Sequence, residues 1–354
     1  MISYDDWRRR YVRQYQEGLY VAYNDGGDLK PKDSVTVSEA CGYGLLASVL
    51  ADRKSDFRRF LIFYNDQENE HGLACWQQVL RNEKIFTDPK SGYNSANSAT
   101  DGDLDAAYAL LLAGQKWEDP SYTARGIKVC AALWKWSIND ETLVTNLGDW
   151  CNDQKGAGGQ ADKFYWVSRP SDYMLTHFKL FSEIDTERSS NWVSVMNATV
   201  AVLEQQMALH PDTGLLADFL VFDHTQKRYQ PSKGKILERD SDGDFGYNAC
   251  RTPWRLAIWY KQTNDQRILP LLQAQQRFFE SQDSISSGYS LNGKPSQSYT
   301  NICFLAPIWC LFKVMGGKQC ARIEQAIHQE HTQGRASYFG EATELLSWLQ
   351  LQED

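Results

Sequence analysis

The sequence predicts an all-α protein in which two kinds of helix alternate around a closed ring. Apolar residues recur at helical spacing in ten segments, whereas only 215–222 has a clear strand pattern. Several helices begin alike, with a capping residue, a polar or charged residue and then small and aromatic residues, and more amphipathic helices lie between them. About six such alternations predict helical hairpins whose inner helices begin at one rim.

The predicted helices follow one another along the chain with polar connectors between them. They span 42–51, 56–64, 104–113, 122–138, 173–181, 191–208, 252–262, 268–281, 302–315 and 341–351. The similar beginnings are 38–43, 98–105, 171–173, 248–251, 298–301 and 337–341. Because these beginnings open the predicted inner helices, we expect them to converge on one cavity. We expect residues 1–354 to form a single domain.

Composition limits the classes of partner. The chain of 354 residues has no run of 18 apolar residues, so no membrane-spanning segment is predicted. Its net charge is −8 and no Lys/Arg cluster stands out, which argues against nucleic acid. The 12 Trp, 18 Tyr and 15 Phe fit either a large core or a groove of flat rings that suits sugars or bases.

No metal site or cofactor is expected. The eight cysteines contain no C-x-x-C pair, and the six histidines show no ligand spacing with them, so reduced, mostly buried thiols are predicted. We also expect a monomer.

The densest candidate for a functional site opens one predicted inner helix. Three acidic residues stand there at alternate positions: Asp101, Asp103 and Asp105. Ser98 and Thr100 are suitable N-caps for this helix. Taken singly, each Asp also fits an acidic residue favoured by the helix N-terminus. A calcium loop is excluded, because Ala106 and Leu112 stand where an EF-hand needs Gly and Glu.

A second candidate is Glu39, which opens a helix containing Gly42 and Gly44. Two glycines early in a helix cost about 1 kcal/mol each relative to Ala. That cost indicates close packing or a need for space beside Glu39. A first-turn carboxylate favoured by the helix dipole is the alternative.

Two further segments carry charge at predicted helix starts. The acidic loop 238–244 leads into a helix through Asn248, with Arg251 and Arg255 four residues apart on one face. A solvated acidic loop is the alternative. The segment 169–172 places Arg169 and Asp172 around a Pro-Ser pair that directs the chain into a helix.

Together these segments resemble glycoside hydrolase family 8. Segment 38–44 is similar to the family segment that holds the general acid, and 99–110 is similar to the family signature. Segments 169–172 and 247–255 match two further family segments in the same order. The resemblance implies an (α/α)6 barrel that cleaves β-1,4-linked glycans with inversion.

The resemblance also implies roles for the carboxylates. Glu39 is then the general acid, and Asp101 binds the sugar at the cleavage point and holds its distorted ring. Inversion needs a second carboxylate, about 6.5–9.5 Å from the acid, that activates water. Many family members carry an Asp for this purpose where the present chain has Asn248.

Two explanations of Asn248 stay open. It is either an engineered Asp→Asn exchange, or the mark of the branch that resembles the Bacillus-type chitosanase, lichenase and endoglucanase enzymes. In that branch the base is a Glu in the preceding loop, and we favour Glu238. Asp240, Asp242 and Asp244 are the fallbacks.

The remaining predicted site residues bind substrate. They are Trp76, Tyr43, Asp172, Arg169, Tyr247, Asn248, Arg251, Trp254 and Trp166. Trp76 resembles a family subsite residue and is the preferred stacking platform, with Trp150, Tyr165 or Trp166 as further platforms. Tyr247, Arg251 and Trp254 are expected to line the same rim.

The leading functional prediction is an endo-acting β-glucanase on cellulose-like or mixed-linkage β-1,3-1,4-glucan. A chitosanase is the alternative, because the same branch includes both activities. Xylanase is less favoured because the xylan-cleaving members keep the Asp base. A catalytically silent glycan-binding protein, motivated by Asn248, is a hypothesis of another class.

The compartment stays open. A polymer-degrading role favours export with a signal removed. The charged, aromatic N-terminus and the free cysteines favour the cytoplasm.

Overall fold

The computed structural model describes residues 1–23, 34–87, 96–154 and 163–353. This part of the chain is dominated by α-helices joined by loops, short strands and single 3-10 turns. The helices are α1 Tyr4–Tyr11, α2 Ser38–Leu50, α3 Lys54–Asp66, α4 Thr100–Lys116, α5 Pro120–Trp136, α6 Leu175–Ile184, α7 Ser189–Leu209, α8 Thr252–Thr263, α9 Leu269–Glu280, α10 Ile302–Met315, α11 Cys320–Thr332 and α12 Tyr338–Gln352.

The even-numbered helices form a closed inner ring. Each packs on the next, and α12 packs back on α2. Of the odd-numbered helices, α3, α5, α7, α9 and α11 lie against the inner helix that precedes each of them, and α1 packs on α12. The predicted (α/α)6 barrel of inner and outer helices is therefore confirmed.

Burial separates the two kinds of helix. The inner helix α2 buries every residue except Glu39, whereas the outer helix α3 buries only Phe57, Phe60, Phe63 and Tyr64. An inner helix is surrounded by protein and needs small or apolar residues on all sides, while an outer helix needs one apolar face. The one partly exposed residue of α2, Glu39, is the residue that the sequence singled out.

Most predicted helices are present, with shifted ends. The helix 302–315 has the predicted bounds, whereas 173–181 begins only at Leu175, after a 3-10 turn over Pro170–Asp172. The prediction missed α1 and α11. The helix α1 has only eight residues, and α11 is rich in charged and polar residues and buries only Ile323, Ile327 and Glu330, so its apolar stripe is narrow.

Within the described residues the strands are short and antiparallel and form three small sheets. They are β1 Val12–Tyr15, β2 Gly18–Val21, β3 Ser34–Val37, β4 Gln77–Arg81, β5 Lys84–Phe86, β6 Val167–Ser168, β7 Leu220–Asp223 and β8 Arg228–Pro231, ordered β1-β2, β3-β4-β5 and β6-β7-β8. The single predicted strand, 215–222, is realised only from Leu220 onward. Because β3 runs directly into α2, its sheet positions the start of the helix that carries Glu39.

The expected cap at the start of α4 is not formed. Ala99 occupies the N-cap position, and Thr100 is already inside the helix. Ser98 instead accepts the backbone N–H of Asp149 through its hydroxyl, at 3.0 Å. The prediction that Ser98 or Thr100 caps this helix is therefore wrong.

The described residues contain no helix that is both long and apolar enough to cross a membrane. Seven cysteines are buried free thiols, and Cys320 is partly exposed. No three His, Cys, Asp or Glu side chains converge as metal ligands within the described ranges.

Candidate active site

A glycine contact brings the starts of α2 and α4 together. A Cβ atom on Gly102 would lie 2.4 Å from the carbonyl carbon of Ser38 and 2.7 Å from the backbone nitrogen of Glu39. A Cβ on Gly42 would lie 2.6 Å from the carbonyl oxygen of Gly102. No other residue fits either position without a shift of backbone. The close packing expected beside Glu39 is present, and it sets Glu39 next to Asp101.

Arg251 lies at the centre of the site and is almost fully buried, so it does not line the rim as expected. Its Nη1 donates to Glu39 Oε2 at 3.0 Å and to Asp101 Oδ2 at 2.8 Å. Its Nη2 donates to Ser171 Oγ at 3.0 Å and to Asn248 Oδ1 at 3.3 Å. One guanidinium therefore joins four segments that the sequence proposed separately.

Glu39 is placed to hold a proton near neutral pH. Its side chain is 20% exposed, and the Tyr338 hydroxyl donates to its Oε1 at 3.1 Å. Burial raises the pKa of Glu39 to about 7, against the opposing effect of Arg251 and with a further contribution from the charge of Asp101. A partly open carboxyl with this pKa is suited to general acid catalysis.

Asp101 has the opposite electrostatic environment. Burial alone would raise its pKa, but Arg169 at 3.4 Å and Arg251 at 2.8 Å hold the pKa of Asp101 down at about 2. The backbone N–H of Gly102 also donates to it at 3.0 Å. Asp101 is therefore a fixed anion that accepts hydrogen bonds and does not supply a proton.

Glu238 is connected to Arg251 through Asn248, and its side chain is exposed. The Asn248 amide nitrogen donates to both Glu238 carboxylate oxygens at 3.2 Å. The amide oxygen of Asn248 accepts from Arg251 and, at 3.4 Å, from Arg169. The nitrogen and the oxygen of the Asn248 amide are thus both hydrogen-bonded. An Asp at this position would place a second carboxylate in contact with that of Glu238.

The fallback carboxylate Asp242 organises the loop that carries Glu238. It is buried and accepts the backbone N–H groups of four successive residues, 236–239, at 2.8–3.1 Å. Its oxygens are committed to this turn, so it is not available to a water in a cleft. Asp240 is exposed, and burial raises the pKa of Asp244.

Sequence reasoning missed Asp218, which supports the turn around Asn248. One carboxylate oxygen of Asp218 accepts the N–H groups of Gly246, Asn248 and Ala249 at 3.1, 3.0 and 2.7 Å. Burial raises the pKa of Asp218 to about 7, and the charge of Glu238 adds to the rise. A lone Asp within the apolar run 215–222 was the available signal.

Tyr338, the hydroxyl partner of Glu39, was also missed. Its segment, 337–341, was recognised as one of the repeated helix beginnings, but nothing local connects it with a residue 299 positions earlier in the chain.

Three predicted substrate contacts are corrected by burial. Trp254 is fully buried in the core and its Nε1 donates to Gln350 at 2.8 Å, so it does not line the rim. Tyr43 and Asp172 also have no exposed surface. The Tyr43 hydroxyl accepts from Arg251 at 3.3 Å, and Asp172 pairs with Arg169, so these two side chains position arginines instead of contacting sugar.

The four aromatic residues expected to stack on sugar differ in exposure and packing. Trp76 is partly exposed, and its backbone oxygen accepts from the N–H of Ser38, directly beside Glu39. Tyr165 is buried and cannot serve as a stacking surface. Trp150 packs against Phe164, and Trp166 stacks on Phe222 with ring centroids 5.4 Å apart. Trp76 and Trp166 stay predictions as sugar platforms.

Asp103 and Asp105 act between helices, not at the start of their own. Asp103 accepts from the Tyr64 hydroxyl at 2.5 Å and from the Ala74 N–H at 2.9 Å. Asp105 pairs with His177 on α6 and Arg255 on α8. Their carboxylates are buried against neighbouring elements, so they are not the free first-turn charges of the alternative interpretation of this acidic cluster.

Comparison with known proteins identifies the class. A sequence model of the family described as Glycosyl hydrolases family 8 matches residues 3–352, and the chain therefore belongs to this family. The resemblance drawn from segments 38–44, 99–110, 169–172 and 247–255 is confirmed.

Relatives with curated names include glucan-cleaving enzymes. A beta-glucanase of Niallia circulans is 32% identical over 322 residues, covering 86% of this chain and 72% of that protein. Endoglucanase A of Acetivibrio thermocellus is 23% identical, covering 98% and 67%. With an endoglucanase of Bacillus sp. strain KSM-330 included, the chain spans 65–72% of the length of these relatives.

Among solved structures, the apo structure of a beta-1,3-1,4-glucanase from Paenibacillus sp. X4 superposes with a TM-score of 0.83. It is 26% identical and the match covers 98% of this chain and 89% of that one. A xylanase from Teredinibacter turnerae, at 17% identity and a TM-score of 0.75, shares the fold.

Proposed function

We propose that this protein is an endo-acting, inverting glycoside hydrolase that cleaves β-1,4 linkages in β-glucan of the cellulose-like or mixed-linkage β-1,3-1,4 type. The observation that carries the proposal is the set of three carboxyl groups connected to Arg251. A carboxyl that holds a proton, Glu39, and a carboxylate kept anionic, Asp101, share this guanidinium. An exposed carboxylate, Glu238, is linked to it through Asn248.

Each group has a step in the reaction. Glu39 donates its proton to the glycosidic oxygen as the bond to the anomeric carbon breaks. Glu238 takes a proton from the water whose oxygen forms the new bond on the opposite face, and the configuration inverts. Asp101 accepts a hydrogen bond from a hydroxyl of the sugar at the cleavage point, and Arg169 and Arg251 keep it charged.

The relatives support glucan as the substrate class. Those described above are named for beta-glucanase, endoglucanase or beta-1,3-1,4-glucanase activity. The contact of Asn248 with both oxygens of Glu238 supports a natural Asn paired with a Glu base and argues against a silent binding protein. We further propose a single catalytic domain over 1–354, because α12 closes the ring on α2.

The test begins with four polymers: mixed-linkage β-glucan, carboxymethyl cellulose, chitosan and xylan. We expect release of reducing ends from the glucans, a rapid fall in viscosity that marks endo cleavage, and α-anomers as the first products by NMR. Release from chitosan alone would favour the chitosanase. Retained binding without release from any polymer would overturn the enzyme proposal.

Single substitutions test the roles of Glu39 as the acid and Glu238 as the base. Glu39→Gln and Glu238→Gln should each nearly abolish turnover while leaving the thermal transition in place. Asp240→Asn is the matched control, because Asp240 is exposed in the same loop two positions away. Full activity of Glu238→Gln together with an inactive Asp240→Asn would move the base to Asp240.

A further inference from the structure

Away from Glu39, Asp101 and Glu238, a cavity of about 740 Å³ opens beside the loop between α9 and α10. Residues 284–286, 295 and 297–301 form most of its wall, and Glu330 and Arg335 complete it. None of the proposed catalytic residues lines it. Its wall is rich in hydroxyl and amide side chains, and the volume lies within the range of small-molecule sites.

This cavity adjoins the catalytic loop through two tyrosines. Tyr299, in its wall, is 52% exposed. The Tyr299 hydroxyl lies 3.2 Å from the hydroxyl of Tyr247, and Tyr247 directly precedes Asn248. An aromatic ring with open surface therefore lies at the cavity, beside the turn that carries Asn248.

Two features of the wall favour an uncharged, hydroxyl-rich ligand. The hydroxyl oxygen of Thr300 is buried and has no hydrogen-bond partner among the described residues. Burial without a partner is unfavourable, so this oxygen gains a hydrogen bond when the Thr300 side chain turns toward a ligand hydroxyl in the cavity. Glu330 and Arg335 form an ion pair with each other, which leaves this part of the wall with no net charge.

We propose that this cavity, the Tyr299 pocket, is an accessory binding site for neutral glucose units of the β-glucan chain, away from the bond that is cleaved. The inference rests on the proposed function for its substrate class. The Tyr299 ring supplies a stacking surface, and Thr300 supplies a hydrogen bond. A neutral wall suits glucose better than the cationic glucosamine of chitosan.

The experiment measures binding separately from cleavage. In a Glu39→Gln background, titration calorimetry compares mixed-linkage β-glucan polymer with a trisaccharide of the same linkages, which is too short to fill both the cleft and the pocket. Tyr299→Ala should weaken polymer binding about fivefold through loss of ring stacking. Thr300→Val should weaken it by a similar factor through loss of one hydrogen bond. Trisaccharide binding should be unchanged in both.

Two controls isolate the pocket. Tyr299→Phe keeps the ring and removes the contact with Tyr247, so it should bind polymer as tightly as the background protein. Tyr260→Ala removes a partly exposed tyrosine from a different cavity and should have no effect.

Three results would overturn the proposed role of the pocket. The first is unchanged polymer affinity in Tyr299→Ala. The others are a Tyr299→Ala loss of affinity as large for the trisaccharide, or as large for chitosan, as for the β-glucan polymer. Wild-type protein that cleaves no polymer while Tyr299→Ala still weakens glucan binding would refute the proposed function and support the pocket.

Discussion

Replacing Asn248 with Asp would test the link between this residue and the proposed base. The amide nitrogen of Asn248 lies 3.2 Å from both oxygens of Glu238. In Asn248→Asp an anionic oxygen of similar size takes its place, while the other side-chain oxygen still faces Arg251 and Arg169. A hydrogen bond is thus exchanged for repulsion between like charges.

The size of the effect follows from the distance. Two unit charges at that separation repel by about 1.3 kcal/mol even in bulk water, the appropriate limit for the exposed Glu238. Because the base must be ionised, repulsion of this size moves the acidic limb of the kcat/KM profile up by about 1 pH unit. The basic limb, which reports the acid Glu39, should move less. The Arg251 guanidinium contacts both residue 248 and Glu39 and screens the new charge from the acid.

The assay is the pH dependence of kcat/KM on mixed-linkage β-glucan for wild type and Asn248→Asp. Asn197→Asp adds the same charge on an exposed position of the outer helix α7 and should leave the profile unchanged. An active Asn248→Asp variant with an unmoved acidic limb would refute the contact between residue 248 and the base.

Three further perturbations follow from the same site. Gly102→Ala sets a methyl group against the backbone of Ser38 and should cost about 1–3 kcal/mol in urea unfolding and lower kcat, whereas unchanged values would contradict the close contact. Tyr338→Phe removes a hydrogen bond that favours ionised Glu39, so the basic limb, expected near pH 7, should move upward; a downward move would contradict this. Asp218 has a raised pKa, so its contribution to stability is present below about pH 4 and is lost as pH rises through about 7. Asp218→Asn, which keeps the accepting oxygen, should remove that part of the pH dependence in thermal unfolding, and an unchanged dependence would contradict it.

Helices were predicted most accurately where a long segment is continuously apolar and buried. The segment 302–315 is apolar around most of its circumference, and its bounds were predicted to the residue. The outer helix α11 offers only a narrow apolar stripe through Ile323 and Ile327, so periodicity alone did not reveal it. The strands β1, β2, β4 and β5 pair as local hairpins, but each has only three to five residues, which is too short for a clear alternating pattern.

The candidate site was predicted residue by residue but not as an arrangement. Resemblance to family segments pointed to Glu39 and Asp101, and resemblance to one branch of the family pointed to Glu238. Trp254 was placed at the rim beside Arg251, three positions earlier. Only the packing of α8 shows that the arginine reaches the site while the indole enters the core.

The sequence by itself determined the ring of alternating helices and the acidic residues at their starts, because both are patterns of local spacing. The family resemblance implied that Glu39 is the acid, but only the tertiary structure shows why this carboxyl group keeps a proton. That depends on burial and on charges from distant segments: Glu39 contacts Arg251 and Tyr338, which lie 212 and 299 positions later in the chain. Two acidic residues at similar helix starts therefore lie in opposite electrostatic environments. The pKa of Glu39 is raised to about 7, and the pKa of Asp101 is lowered to about 2.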